Sequence, residues 1–177
     1  MRGFFLALPV IILLGEGLFT VQYHVNDTTY EDEVQGYEYY ITPHSGFKSY
    51  EGKDAFHEGY AQKALADRSE CDEDGLCMIN GRYLVAIGTA FDAKIGQWFD
   101  LKLANGVTIP CIMGDVKADV DTDEDNLYTL QSDCCSEFIV SRYWLREDIR
   151  LAGDVSKKTP LWDSPVEGLV LYEIYEQ

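Results

Sequence analysis

The sequence GRYLVAIGTAFDAKIGQWFDLKLANGVTIPCIMGDVKADVDTDEDNLYTLQSDCCSEFIV, residues Gly81 to Val140, decides the fold of this chain. Apolar and polar residues alternate at 99–103 and 107–111, which is typical of β-strands with one buried face. Residues 82–87, in which Tyr83, Val85 and Ile87 alternate with Arg82, Leu84 and Ala86, predict a strand buried on at least one side. Asn105-Gly106, between the segments 99–103 and 107–111, is a strong β-hairpin signal. Ser136 to Val140 predicts a further strand, after an acidic segment that Gly114 opens. Short strands joined by brief turns therefore predict a mainly β fold, a small barrel.

Weaker patterns surround this stretch on both sides. The remaining predicted elements are strands at 18–25, 37–41 and 168–174, a short helix within 55–68, and a second short helix that Ser141 caps and Gly153 stops. We divide the chain into a signal peptide or membrane anchor at 1–17, an N-terminal arm and acidic loop at 18–79, and a barrel domain at 80–177.

Composition bounds the classes of function. The chain has 177 residues, of which 46% are hydrophobic and 13% aromatic, enough for a sizeable folded core. The formal net charge of -17 argues against nucleic acid as a partner, because phosphate binding requires an excess of Lys and Arg. It equally disfavours an anionic membrane surface.

The N-terminus has the composition of an export signal. Met1-Arg2 precedes an apolar run at 3–14, which is short for a membrane span and suits the core of a signal peptide. An uncleaved anchor that extends through Val21 is the alternative. We therefore predict a secreted or extracytoplasmic protein, which contacts the membrane through this segment only if the segment is not cleaved.

Export makes disulfides the first interpretation of the cysteines. Cys71 and Cys77 bracket a small acidic loop and are predicted to pair with each other. Cys111 is predicted to pair with Cys134 or Cys135, which leaves one cysteine unpaired. The spacing of a zinc site is absent from the sequence, so no zinc is expected.

The order of these motifs resembles the three-aspartate (3D) domain family. The matching features are GRYLVAIGT, a strand-NG-strand hairpin, GDVKAD and SEFIV, and they extend over residues 81–174. The resemblance implies a six-stranded double-psi β-barrel in an exported bacterial protein that acts on or near peptidoglycan, distantly like the membrane-bound lytic transglycosylase A group. The glycines of the family's Asp-Thr-Gly-Gly turn are missing here, and a terminal Asp is replaced by Glu137.

Three acids are the candidate catalytic residues. Asp115 stands where the family's turn carries its Asp, Asp119 ends the GDVKAD run, and Glu137 takes the place of the last acid. A carboxyl with a raised pKa can deliver a proton to a glycosidic oxygen and then accept one from the attacking hydroxyl. The alternative for Asp115 and Asp119 is capping of backbone amides, and Glu137 then faces solvent. The chain as a whole is then an inactive cell-surface binding module instead of an enzyme.

Further ligand sites have weaker support in the sequence. Asp121, Asp123 and Asp125 alternate as in a calcium loop, but the Gly and the final Glu of that motif are missing. We expect a solvated acidic loop, and no cofactor or metal. The expected partner is peptidoglycan or another cell-surface glycan. An exposed tryptophan among Trp98, Trp144 and Trp162 would be able to stack on a sugar ring.

Overall fold

The computed structural model describes residues 10–14, 17–26, 34–57 and 59–176, with side-chain surroundings from residue 36 onward. Its strands are β1 Val10–Leu14, β2 Gly17–Asn26, β3 Val34–Tyr40, β4 Ser49–Gly52, β5 Glu70–Cys71, β6 Cys77–Ile79, β7 Arg82–Ile87, β8 Gln97–Leu103, β9 Thr108–Val116, β10 Ser136–Val140 and β11 Val166–Tyr175. Its two α-helices are α1 Ala61–Arg68 and α2 Glu147–Ala152. The mainly β prediction is confirmed.

The strands form one mixed sheet. Nine of them follow one another in the hydrogen-bonded order β1-β2-β3-β11-β8-β9-β7-β10-β4, and β5 and β6 attach beside β7. The pairs β7–β9 and β10–β4 are parallel, and the other pairs are antiparallel. Strands from both sides of the predicted boundary between residues 79 and 80 therefore belong to the same sheet.

The sheet is not closed into the predicted six-stranded barrel. Within the described ranges, β4 pairs with β10 on one side only, and no ladder joins it to β11 or to β1. The reason lies in β11, because β8 occupies one of its edges and β3 of the arm occupies the other. Both edges of β11 are thus already hydrogen-bonded, and neither can pair with β4 to close a barrel.

The segment that follows β10 contributes side chains to the main hydrophobic core. Ile149, Val155 and Trp162 from this segment pack into the same buried cluster as the inward-facing residues of β7 to β11. Phe99 and Phe138 are fully buried at its centre. A second cluster lies beneath α1, where Leu65 packs against Leu84 and Ile139. The sheet therefore has buried side chains on both faces in its central part.

The helices differ from prediction at their beginnings. Helix α1 occupies only the second half of the predicted 55–68 segment. Helix α2 begins after Arg146 and not at Ser141, because Ser141 to Trp144 form a turn in which the Trp144 amide donates to the Ser141 carbonyl at 3.1 Å. Gly153 ends α2 with φ 68, as predicted.

Two sequence predictions concern covalent state and the N-terminus. All five cysteines are free, and Cys111 Sγ donates to the Ile109 carbonyl at 3.3 Å instead of bonding to another sulfur. Most of the predicted signal peptide or anchor lies outside the described residues. Among those that are described, no helix is both long and apolar enough to cross a membrane.

Candidate functional site

An open groove of about 460 Å³ lies where β9 ends and β10 begins, beside β4 and the acidic segment. Four acidic residues line it together with Lys117, namely Glu51, Asp115, Asp121 and Glu137. Asp121 belongs to the 3-10 turn of the acidic segment, whereas the other three stand on strands of the sheet. We refer to this feature as the carboxylate groove. The structure thus brings together two of the three acids that the sequence predicted, and it adds Glu51, which the sequence analysis missed.

Strand register explains the convergence. Asp115 of β9, Ala86 of β7 and Glu137 of β10 are aligned in one row, and Ser49 of β4 stands at its end. Residues aligned in this way project from the same face of a sheet. The side chain between the two acids is the single methyl group of Ala86, which leaves room for both carboxylates above the sheet.

An irregularity in β9 turns Asp115 toward this face. Apolar residues of the 109–113 segment alternate into the core, so that strict alternation would direct residue 115 into the core as well. The register with β7 shifts between Met113 and Asp115, and Gly114 is the additional residue. One extra residue reverses the face of everything that follows it. Gly114 therefore places Asp115 in the carboxylate groove.

Glu51 has the most perturbed carboxyl group of the groove. Burial, the largest cause, and the negative charges of Asp115 and Glu137 together raise the pKa of Glu51 to about 7, whereas the ammonium of Lys117 acts in the opposite direction. A side-chain hydrogen bond with Asp115 also favours the protonated form. A carboxylic acid with this pKa exchanges its proton near neutral pH, as general acid-base catalysis requires.

Glu137 is held on both of its oxygens. Lys117 Nζ contacts Glu137 Oε2 at 2.5 Å, and the Ser49 hydroxyl donates to Oε1 at 2.7 Å. The Lys117 side chain is only 5% exposed, so this ion pair is screened little by solvent. The pair fixes the orientation of Glu137 and partly compensates the negative charge of the groove.

Helix α1 positions Asp115 from the outer side. Gln62 Nε2 donates to Asp115 Oδ1 at 3.1 Å, and Leu65 on the same helix packs into the second hydrophobic cluster. The amide satisfies one carboxylate oxygen while leaving the acid at the wall of the groove. Asp115 is thus oriented by the helix on one side and by Glu51 on the other.

Asp119 does not join the other acids. It lies in a single turn of 3-10 helix, Asp119–Asp121, and its carboxylate accepts a hydrogen bond from Thr89 Oγ1 at 2.6 Å. Its neighbours Ala118 and Val120 line the carboxylate groove, but Asp119 itself is exposed away from it. This bond comes from a side-chain hydroxyl and not from a backbone amide, so it differs from the amide capping that the sequence offered as the alternative.

The acidic segment is organised by turns. Asp123 Oδ1 accepts hydrogen bonds from the amides of Leu127 and Tyr128 at 2.8 and 3.2 Å. In the part of the chain that the structure describes, no group of three or more His, Cys, Asp or Glu side chains has a metal-binding arrangement. In the carboxylate groove the position among the acids is taken by the ammonium of Lys117.

Comparison with known proteins does not assign a family. No family model matches the chain, and no curated protein or solved structure matches it. What the chain does is therefore inferred from the carboxylate groove itself.

Proposed function

We propose that the chain is an exported enzyme that cleaves the glycan strands of peptidoglycan or another cell-surface glycan, with Glu51, Asp115 and Glu137 as its acidic groups. The observation that carries this proposal is the convergence of Glu51, Asp115 and Glu137, from three strands of the sheet, in an open groove. Cleavage of a glycosidic bond requires a proton donor at the leaving oxygen and negative charge beside the sugar carbon that becomes positive.

Glu51 is the general acid in this proposal. Its protonated carboxyl donates the proton to the glycosidic oxygen, and the bond between that oxygen and the anomeric carbon breaks. The resulting carboxylate then removes the proton from the muramic 6-hydroxyl, whose oxygen bonds to the anomeric carbon and forms an anhydro ring. Glu51 ends the cycle protonated again, and no water is consumed. A hydrolytic variant uses water in place of the 6-hydroxyl.

Asp115 and Glu137 act through charge. Their carboxylates raise the pKa of Glu51 and so keep a proton available near neutral pH. The same charges stabilise the positive charge that develops on the sugar ring in the transition state. Lys117 and Gln62 hold the two carboxylates in place and do not contact the reacting bond in this scheme.

The relation to the three-aspartate domain family is part of this proposal. The hairpin β8–β9, the parallel pair β7–β9 and the acids Asp115 and Glu137 support it. A double-psi arrangement would have to be an open variant of that fold, because β11 pairs with β3. The alternative function is an inactive surface-binding module, which would bind a glycan without cleaving it. The digestion experiment described next distinguishes the two functions.

The test is digestion of purified peptidoglycan with the full chain, followed by mass spectrometry of the soluble products. Wild type is expected to release anhydro-muropeptides, and Glu51→Gln is expected to lower the rate by roughly 10² to 10⁴, the range for loss of a general acid. Glu124→Gln is the matched control, because Glu124 is an exposed acid of the neighbouring loop. It should cleave like wild type.

Two outcomes overturn the proposal. Absence of any product from wild type between pH 5 and 8 leaves the binding module as the function. Cleavage by Glu51→Gln at the wild-type rate removes Glu51 from the chemistry. Products with reducing ends in place of anhydro ends identify hydrolysis. In that case the chain is a glycan-cleaving enzyme, but the proposed attack by the 6-hydroxyl is wrong.

A further inference from the structure

Two adjacent aromatic side chains, Tyr143 and Trp144, are presented to solvent directly after β10. They are 87% and 74% exposed, and they border a cavity of about 640 Å³. Its other lining residues are Lys53, Asp54, Cys71, Asp72, Glu73 and Ser141. We call this cavity the aromatic pocket. Single exposed apolar residues are ordinary, but a pair beside a cavity indicates a contact surface.

The turn that carries the aromatic pair is fixed to the rest of the protein. The Ser141 amide donates to the Gly75 carbonyl at 2.9 Å, and the Arg146 amide donates to the Asp74 carbonyl at 3.0 Å. The Arg146 guanidinium also pairs with Asp74 Oδ1 at 2.9 Å. The backbone on both sides of the aromatic pair is therefore anchored, which lowers the entropy that a ligand must overcome.

Gly75 makes this close approach possible. It has φ +88, and a Cβ at this position would lie 2.7 Å from the backbone of Leu145. Any other residue would push the aromatic turn away and would be strained as well. Gly75 thus lets the turn pack closely against the protein with its two aromatic side chains in solvent. Exposure of this apolar surface is in itself unfavourable.

The polar lining of the aromatic pocket complements the aromatic pair. Asp72 is oriented by Lys158 Nζ at 2.7 Å and by the Leu76 amide at 2.9 Å. Exposed Asp54 and Glu73 provide further acceptors, and Lys53 provides a donor. Flat aromatic faces beside short hydrogen-bonding groups suit a ring that is apolar on one face and carries hydroxyl and amide groups at its edge. A pyranose sugar has this character.

The aromatic pocket and the carboxylate groove lie along the same two strands. Glu51 and Glu137 lie on the parallel strands β4 and β10, and the residues that directly follow these strands, Lys53 and Ser141, line the aromatic pocket. Only Gly52 lies between Glu51 and Lys53 in the sequence, so their Cα atoms are at most about 7 Å apart. This separation is within the length of a short oligosaccharide.

We infer that the aromatic pocket is a second sugar-binding site, in which Tyr143 and Trp144 stack on the pyranose rings of a neutral N-acetylated glycan. The choice of glycan rests on the proposed function, because the same strand would enter the carboxylate groove. The aromatic pocket increases the affinity for the glycan and determines which glycosidic bond lies at Glu51, and cleavage takes place in the carboxylate groove.

The test measures binding of N-acetylglucosamine tetrasaccharide by titration calorimetry. It uses full-length Glu51→Gln, so that the probe is not cleaved. Replacement of both aromatic residues by alanine is expected to weaken binding about tenfold or more, because both apolar faces that stack on the sugar rings are removed. Trp144→Tyr should retain most of the affinity. Tyr175→Ala, which removes an aromatic residue that is 50% exposed outside the aromatic pocket, should leave it unchanged.

Binding that is equally strong in the double variant overturns the inference, and so does the absence of binding at millimolar probe. Circular dichroism and thermal melting confirm that each variant is folded. The proposed function fails separately, when wild type releases no product from peptidoglycan although the tetrasaccharide binds. Failure of this inference alone appears as cleavage that depends on Glu51 but not on the aromatic pair.

Discussion

Glu51 and Asp115 share a hydrogen bond although two other strands, β7 and β10, lie between the strands that carry them. The small Ala86 and the register shift at Gly114 make this reach possible. The negative charge of Asp115 and this hydrogen bond both raise the pKa of Glu51. The candidate acid-base chemistry of the groove therefore depends on sheet geometry as much as on residue type.

Replacement of Glu51 should change the pH dependence of stability. An unfolded glutamate titrates near ~4.3, whereas the folded-state pKa of Glu51 is raised to about 7. The folded state holds the proton more tightly between these values, so that Glu51 lowers the free energy of unfolding as pH rises through this window. Glu51→Gln should be more stable than wild type at pH 8 by about 1 kcal/mol, after allowance for partial exposure.

Urea unfolding at pH 5 and pH 8 measures this difference. The gap between Glu51→Gln and wild type is expected to be larger at pH 8. Glu124→Gln in the exposed loop should follow wild type at both pH values. Identical pH profiles for wild type and Glu51→Gln would contradict the raised pKa.

Gly114 should tolerate no side chain without cost. A Cβ at this position would lie 3.1 Å from both Ile139 Cγ1 and Leu84 Cβ. Gly114→Ala is therefore expected to lower the free energy of unfolding by about 1–3 kcal/mol, the range for overpacked cores. Because the shift in register also sets the direction of Asp115, the carboxyl titration of Glu51 should move toward lower pH. Carbon-13 NMR measures that titration, and an unchanged titration in a folded variant would contradict the role of Gly114.

The strands were predictable because their signals are local. Alternation marks β7, β8 and β9, and Asn105-Gly106 marks the turn between β8 and β9. Barrel closure was not predictable in this way, because it depends on which distant strand pairs with β11. Local sequence contains the period of a strand but not the identity of its neighbours.

Two of the groove's acids were predictable from local sequence, and Glu51 was not. Asp115 and Glu137 stand in the segment whose motifs resemble a family, but Glu51 stands on the four-residue strand β4, in a region without such motifs. Asp119 is close to Asp115 in sequence, yet its 3-10 turn directs it to Thr89. Gly114 was the one available signal, because a glycine inside an alternating strand often marks a bulge.

Lys48 is expected to be required for stability. It is fully buried, and its ammonium donates to the carbonyls of Gly46, Trp162 and Ser164 at 2.9, 2.7 and 2.9 Å. Lys48→Met would leave these three acceptors without their donor, at an expected cost of about 2–4 kcal/mol in the free energy of unfolding. Lys157→Met, at an exposed position, is the control for loss of charge. Equal stability of the two variants by urea unfolding would refute the structural role of Lys48.

Cys71 and Cys77 should form a disulfide under oxidising conditions, as the sequence predicts. They face each other across the antiparallel pair β5–β6, with their sulfurs 3.3 Å apart. The short loop between them limits the expected gain in the free energy of unfolding to about 2 kcal/mol. Burial raises the pKa of Cys77 to about 12, so oxidation should be slow at neutral pH and faster at alkaline pH. Non-reducing peptide mapping detects the bond, and Cys77→Ser is the control that must lack it.

Lys117 and Glu137 allow a test of whether charge, and not packing, sets the proton affinity of Glu51. The ammonium of Lys117 lowers the pKa of Glu51, and the carboxylate of Glu137 raises it. Lys117→Met should therefore move the Glu51 titration to higher pH, and Glu137→Gln should move it to lower pH. Lys117→Met should also cost about 1–3 kcal/mol in stability, because Glu137 loses its partner in a partly buried site. Carbon-13 NMR of the glutamate carboxyls measures both titrations. A loosened groove would shift both variants in the same direction, toward the ordinary range, so opposite shifts can arise only from the charges themselves.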